Sequence, residues 1–195
     1  MKFTGERVVP TEMKHDTREM QAHLARYVWA MEWCQKKVVA DLACGCGYGS
    51  QLLSYAAETV YAVDRNDDAL VYGAEHHASP NIHWKIGDMG DIPLEDHSVD
   101  VVVSFETVEH LEDPLAYFDE VLRILRWGGV FIVSAPDNSG SEWHVRDYSA
   151  DGLAELLSQR FDLSMARAYT QGPRTEIVED DTPLWDHPTN IVVIP

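Results

Sequence analysis

The stretch Val38 to Ser50, VVADLACGCGYGS, constrains the fold of this chain more than any other. A short apolar run ends in the acid Asp41 and leads into glycines at 45, 47 and 49. The run predicts a buried strand, and the glycines predict a loop whose backbone can press against a ligand. A helix opened by such a loop presents free N–H groups and the positive end of its dipole. Thr59 to Asp64, TVYAVD, repeats the pattern of an apolar strand closed by an acid. An acid at that place is suited to gripping a ribose diol, so the ligand expected is an adenosine.

Glycine spacing narrows the ligand further. A dinucleotide fingerprint needs Gly-x-Gly-x-x-Gly, whereas this chain carries Gly45-x-Gly47-x-Gly49 and places Ser50 at the dinucleotide position. No Gly-Lys-Ser/Thr follows, which excludes a P-loop. Asp-Leu-Ala-Cys-Gly-Cys-Gly-Tyr-Gly resembles motif I of the class I S-adenosylmethionine (SAM) methyltransferases, and Gly87-Asp88 downstream strengthens the match.

A chain of 195 residues, 45% hydrophobic, can bury a full core without disulfides or metal. No apolar run approaches the roughly 20 residues of a membrane span, and MKFTGERVVPTEMK holds no apolar signal region. Three cysteines, two of them in the glycine loop, make no disulfide framework, and a reduced, cytoplasmic compartment is expected. The net charge of −18 is uneven: residues 1–40 carry seven Lys/Arg against five acids, and 41–195 carry eight against 28. An acidic body repels phosphates, so extensive nucleic-acid binding is not expected.

The remaining pattern alternates strands and helices, which implies a mostly parallel sheet covered on both faces. Helices are predicted over Gln21–Trp33, Tyr48–Ala57 and Asp67–Ala78, and strands over Asn81–Asp88, Val99–Phe105 and Val130–Ala135. Asp113-Pro114 opens a helix with Leu115, Phe118, Val121, Leu122 and Leu125 inward, ended by Gly128-Gly129. Ser149 caps a helix to about Arg160, and Phe161–Thr170 and Asn190–Ile194 close the sheet. Gln171 to Pro188 reads as a long insertion before the last strand.

The whole chain from Phe3 onward resembles a small class I SAM methyltransferase of the group often encoded beside glycan-building enzymes. TGERVVP, His-Leu-x-Arg-Tyr at 23–27, DVVVSFETVEHLEDP and HVRDYS carry that resemblance. It implies one Rossmann-like α/β domain over 1–195, with a helical arm (1–35) covering the site and a catalytic core (36–195). It also implies a seven-stranded, mostly parallel sheet with the last strand antiparallel. By position, Asp41, Ala43, Gly45 and Gly47 would surround the methionine end of SAM. Asp64 would take the ribose hydroxyls with Arg65 beside it, Asp88 and Met89 would meet the adenine, and Phe105 would line the methionine side. Tyr27 either closes over the cofactor or packs in the core.

Methyl transfer to an alcohol benefits from a base or a metal that lowers the acceptor's pKa. If Phe105–Leu111 forms one helical turn, Glu106, Glu109 and His110 share a face. Two carboxylates and an imidazole suit Mg²⁺, Mn²⁺ or Fe²⁺. The Glu-x-x-Glu-His pattern resembles the metal motif of small-RNA 3′-terminal 2′-O-methyltransferases and ubiquinone-pathway O-methyltransferases. His144, before Asp147, Tyr148 and Ser149, would fill the fourth ligand position. The expected set is therefore Glu106, Glu109, His110 and His144 as ligands, with Glu106, His110 and His144 catalytic, or His110 or His144 as a metal-free base. His15 and His23 could touch acceptor, and Trp143 could stack on a ring or anchor the core.

The expected activity is O-methylation of a small molecule or glycan precursor by a monomer or homodimer. The alternatives are a metal-dependent 2′-O-methyltransferase of RNA 3′ ends and a SAM-binding protein without transfer activity.

Overall fold

The computed structural model describes residues 18–137, 139–172, 176–179 and 189–195. Its centre is β1 (Val38–Leu42), flanked by β2 (Thr59–Asp64) and β4 (Val99–Phe105). All three are apolar runs, and a parallel strand buried on both faces needs such a run. The sheet has the order β3-β2-β1-β4-β5-β8-β6-β7, adding β3 (Ile82–Ile86), β5 (Leu125–Pro136), β6 (Arg167–Gln171), β7 (Ile177–Val178) and β8 (Thr189–Ile194). Strands β1 to β5 pair parallel, and β8 runs antiparallel between β5 and β6. Among the described residues the expected seven strands become eight. The added β7 is a two-residue antiparallel pairing on β6, inside the segment read as an insertion.

Helices cover both faces, as expected. The layer with α1 (Arg18–Ala30), α2 (Tyr48–Ser54) and α3 (Asp67–His76) packs Tyr27, Ala30, Leu53 and Leu70 on Val39, Val60, Val101 and Ile132. The opposite layer, α4 (Pro114–Ile124) and α5 (Ala150–Ser158), packs Phe118, Val121, Leu153 and Leu157 on Val102, Phe131 and Val133. Each such side chain contributes about 1.5–3 kcal/mol by leaving water. Caps set the helix starts: Asn66 accepts from Ala69 N, Asp113 from Ala116 N and Ser149 from Gly152 N.

Two expected boundaries and one inward-facing position are corrected. Helix α4 stops at Ile124 rather than at Gly128-Gly129, because Leu125 turns extended and pairs with Val99. Leu125 is still buried, but Leu122 is 40% exposed, and Tyr117 and Ile124 complete the inward face in its place. Residues Leu163–Met165 form a 3₁₀ turn, so only Arg167–Gln171 of the predicted Phe161–Thr170 strand joins the sheet.

Gly49 fixes how α1 meets α2. A Cβ there would lie 2.1 Å from Cζ of Tyr27, in the middle of a buried ring. Gly49→Ala is expected to destabilise the protein by about 1–3 kcal/mol, the usual cost of overpacking, in urea denaturation followed by circular dichroism. An unchanged midpoint would show that α1 can shift without cost.

Candidate functional site

The reversal of strand order between β1 and β4 opens a crevice at the carboxyl ends of the strands, where open α/β sheets bind ligands. Two adjoining cavities of about 330 and 140 Å³ lie there. Both are lined by Ala43, Gly45, Glu106 and His110. The glycine loop between β1 and α2 forms their shared floor. Ala43, Gly45 and Gly47 have φ of +56°, +57° and +81°, and a Cβ at Gly47 would meet the Trp84 ring at 2.2 Å.

The smaller cavity holds the residues expected at the nucleoside end. Asp64, at the end of β2, accepts from Gly45 N and from Asn66 N, each at 2.8 Å, and so ties the loop to the strand end. Arg65 and Asp88 are exposed beside it, and Asp88 Oδ1 accepts from Gly90 N. Met89 is buried and, with Leu111, gives this cavity apolar surface.

The larger cavity is bounded by α1, α2 and the loops after β4 and β5. His23, Arg26 and Tyr27 project from one face of α1. His23 Nδ1 lies 3.0 Å from Tyr48 Oη, and the Tyr27 ring stands edge-on to Phe105 and Tyr48. Tyr27 Oη donates to Asp41 at 3.2 Å, and Ser50 Oγ donates to it at 2.5 Å. Asp41 is fully buried, its carboxyl pushed up to about 7 by that burial. This corrects the expectation that Asp41 faces the ligand. It pairs with Ala62 and Val103 inside the sheet and lines neither cavity, so it anchors α1 and α2 instead. Phe105 does line the larger cavity. Tyr27 both lines it and belongs to the core.

The segment after β4 is not the single helical turn that was expected. Glu106 takes φ +52°, and only Val108–His110 forms a 3₁₀ turn. This separates Glu106 from the other candidate ligands. Its Oε1 accepts from Arg26 Nη1 at 2.5 Å and from Ser134 Oγ at 3.0 Å. Three of the four expected ligands do converge: Glu109, His110 and His144 each bring one donor atom to within 4.8 Å of the others. The loop after β5 makes this possible, since Val145 N and Arg146 N both donate to Glu109 O and dock His144 against the turn.

Hydrogen bonds define the protonation pattern of this trio. His110 Nδ1 lies 3.0 Å from the Trp143 carbonyl, which only accepts, so that nitrogen carries the proton. His144 Nδ1 lies 2.9 Å from Asp147 Oδ1, and this contact with His144 holds the Asp147 carboxyl below its usual range. In the neutral rings each Nε2 is then a lone-pair donor. The Glu109 carboxylate is 1% exposed, and neither of its oxygens has a hydrogen-bond partner. Burial, and next the Glu106 charge, push its carboxyl well up.

Arg26 and Ser134 are the functional candidates that the sequence reading missed. The available signals were an arginine on the inward face of α1, three residues after His23, and a serine inside the apolar run of β5. His15 and His187 lie outside the described residues. Among the described residues no helix is long and apolar enough to cross a membrane.

Comparison with known proteins agrees with this geometry. A family profile described as "Methyltransferase domain" matches residues 40–133. A probable S-adenosylmethionine-dependent methyltransferase of Mycolicibacterium smegmatis is 32% identical over 164 residues, covering 80% of this chain and 63% of its own. One of Mycobacterium tuberculosis is 31% identical over 183 residues, covering 88% and 65%. The chain thus spans just under two thirds of the length of these curated relatives. A solved SAM-dependent methyltransferase of Aquifex aeolicus superposes with a TM-score of 0.69 over 97% of this chain and 100% of its own, at 16% identity, a likeness of fold.

Proposed function

The chain belongs to the class I SAM-dependent methyltransferase family, and from that premise we propose that it methylates a hydroxyl of a small molecule or glycan precursor with help from a divalent ion. One observation carries the metal-assisted part of this reading. A buried carboxylate without a hydrogen-bond partner, Glu109, stands beside two imidazoles whose Nε2 lone pairs are fixed, next to the glycine-loop cavity. An unpartnered buried acid is costly unless a cation or proton completes it.

The residues present fit SAM. The positive-φ loop admits close backbone approach, Asp64 lines the cavity as an acceptor for ribose hydroxyls, and Asp88 is an acceptor for the adenine amino group. When bound, SAM supplies an electrophilic methyl group on its sulfonium. Tyr27, Tyr48 and Phe105 wall the larger cavity and exclude water from one side of it.

The trio also fits a cation. Two imidazoles and one carboxylate, with further positions open, favour Mn²⁺ or Fe²⁺ over Mg²⁺, which prefers oxygen ligands. Such an ion would lower the pKa of the acceptor hydroxyl. Asp147 and the Trp143 carbonyl orient the two rings from behind, the arrangement that holds metal-binding histidines in register. With both Nε2 lone pairs on the ion, the acceptor proton would pass to solvent at the open mouth; without an ion, His110 or His144 Nε2 would accept it. The acidic body disfavours an RNA acceptor.

Calorimetric titration of S-adenosylhomocysteine (SAH), followed by Mn²⁺ into the complex, tests both parts. SAH is expected to bind, and Mn²⁺ to bind at least ~10-fold more weakly in His144→Ala. Absent SAH binding would overturn the SAM reading. Mn²⁺ heats unchanged by His144→Ala would leave the histidines as metal-free bases.

A further inference from the structure

We propose that two copies of this chain pair across a two-fold axis, with Trp127 of each seated in an apolar cavity of the other. Trp127 is 91% exposed, more than any other large apolar side chain among the described residues. The loop that carries it is tightly determined. Between Val99↔Leu125 and Val101↔Val130 the pairing of β4 with β5 shifts register, so residues 126–129 loop out opposite Asp100 alone. Gly128 takes φ +73°, and a Cβ at Gly129 would lie 2.9 Å from the Arg126 carbonyl oxygen. The Trp127 ring stacks on His97, with centroids 5.5 Å apart. His97 is itself held at φ +52° by bonds from its amide to Arg123 O and from Nδ1 to Leu125 O. An indole fixed in water on such a base loses little conformational freedom when it is buried, which suits an interface anchor.

A cavity of about 270 Å³ opens beside Trp127, where β4 and β5 begin, at the end of the sheet opposite the crevice. Leu122, Phe131, Phe161 and Ile194 line it, and only His97 and Arg126 bring polar side chains to it. Its size lies below the usual range of about 300–1,000 Å³ for small-molecule sites and suits one large side chain. Projecting ring and receiving cavity share one patch, which is the self-complementary condition of an isologous contact. Charge favours the same occupant. Residues 41–195 carry 28 acids against eight Lys/Arg, so two copies repel over most of their surface. Around this cavity the charges come as pairs, Arg123 with Asp96, Arg126 with Asp100 and Arg160 with Asp119. Like-charged copies can meet there. Two seated indoles, with the walls they cover, would bury about 800 Å². Rim contacts such as Leu122, 40% exposed, bring this toward about 1,200 Å², the lower bound of specific interfaces. A weak, micromolar dimer follows.

Sedimentation velocity over about 1–100 μM tests this, and wild type is expected to pass from monomer to dimer within that range. Trp127→Glu is expected to raise the dimer dissociation constant at least ~100-fold, since it would carry a charge into an apolar cavity. Leu122→Glu on the rim is expected to raise it at least ~10-fold, and covers the case of a Trp127 variant that does not fold. Val71→Glu, at a 51% exposed position on α3 in the other helix layer, is expected to change it less than about twofold. Thermal melting followed by circular dichroism at about 1 μM is the fold control, with both patch variants expected within about 2 °C of wild type. A dimer that persists in Trp127→Glu and in Leu122→Glu would place the interface elsewhere and overturn the proposal. A wild type still monomeric at about 100 μM would also overturn it, leaving the cavity to another protein or a small apolar ligand.

Discussion

Glu109→Gln is expected to yield a protein that melts higher than wild type and no longer responds to divalent metal. The carboxylate it replaces is buried with no hydrogen bond to either oxygen and only His110 Nε2 at 3.9 Å from Oε1, and its carboxyl sits well above its ordinary value of 4.5. The sign follows from proton binding. An acid whose folded pKa is raised keeps its proton in the native state after the unfolded chain has lost it. Stability therefore declines as pH rises above about 4.5. Glutamine removes that decline, so the variant should gain about 1–3 kcal/mol at pH 8 and nothing at pH 4. At this chain length that is about 2–4 °C per kcal/mol. Loss of the only carboxylate in the trio should weaken Mn²⁺ binding at least ~100-fold. Melting curves at the two pH values decide it. A variant less stable than wild type at pH 8 would mean that Glu109 is satisfied in the folded protein.

Asp64→Asn carries the second large effect, through the loop and the ligand together. The aspartate accepts from two backbone amides, Gly45 N on one oxygen and Asn66 N on the other. Asparagine offers one acceptor and one NH₂ group, so one of those amides must face a donor. The cost is about 1–3 kcal/mol of stability. It comes in addition to the ribose contact that Asp64 is proposed to make, and SAH affinity should fall ~100-fold, about 2.7 kcal/mol. Asp88→Asn, at an exposed position with one local backbone bond, should cost ~10-fold or less. If Asp64→Asn binds SAH within threefold of wild type, the ribose assignment is wrong.

How much of this was legible in the chain differs from element to element. β2 and β4 begin and end where their apolar runs do, because a parallel strand buried on both faces leaves no ambiguity of period. The junction of α4 and β5 was not legible. Leu125 falls four residues after Val121 and so satisfies the helical pattern, yet its pairing with Val99 makes it the first residue of a strand. The acids divide in the same way. Asp64 lies at its strand's end and does line the cavity, whereas Asp41 lies one residue short of the end of β1 and points into the helix layer. The convergence of His110 and His144 was anticipated from motif resemblance. What brings it about is a pair of backbone bonds from Val145 and Arg146 to Glu109 O, which no residue type announces. Glu106 was assigned to the metal on helical spacing. Its positive φ breaks that spacing and turns the side chain toward Arg26.

Helix α1 precedes every strand of the described residues, yet almost everything it holds comes later. Arg26 reaches Ser134, 108 residues on, and the Ala22 carbonyl accepts from Gln171 Nε2, 149 residues on. At a synthesis rate of about 5–20 residues per second, roughly 7–30 s separate the appearance of Ala22 from that of Gln171. Through that interval the helix has no complete seat, and its inward face of His23, Arg26 and Tyr27 has nothing finished to settle on. The wall of the larger cavity is therefore made before the strands it rests on and is put in place only after them. A nascent chain halted before β6 should hold its central strands while offering no closed pocket to an adenosine ligand.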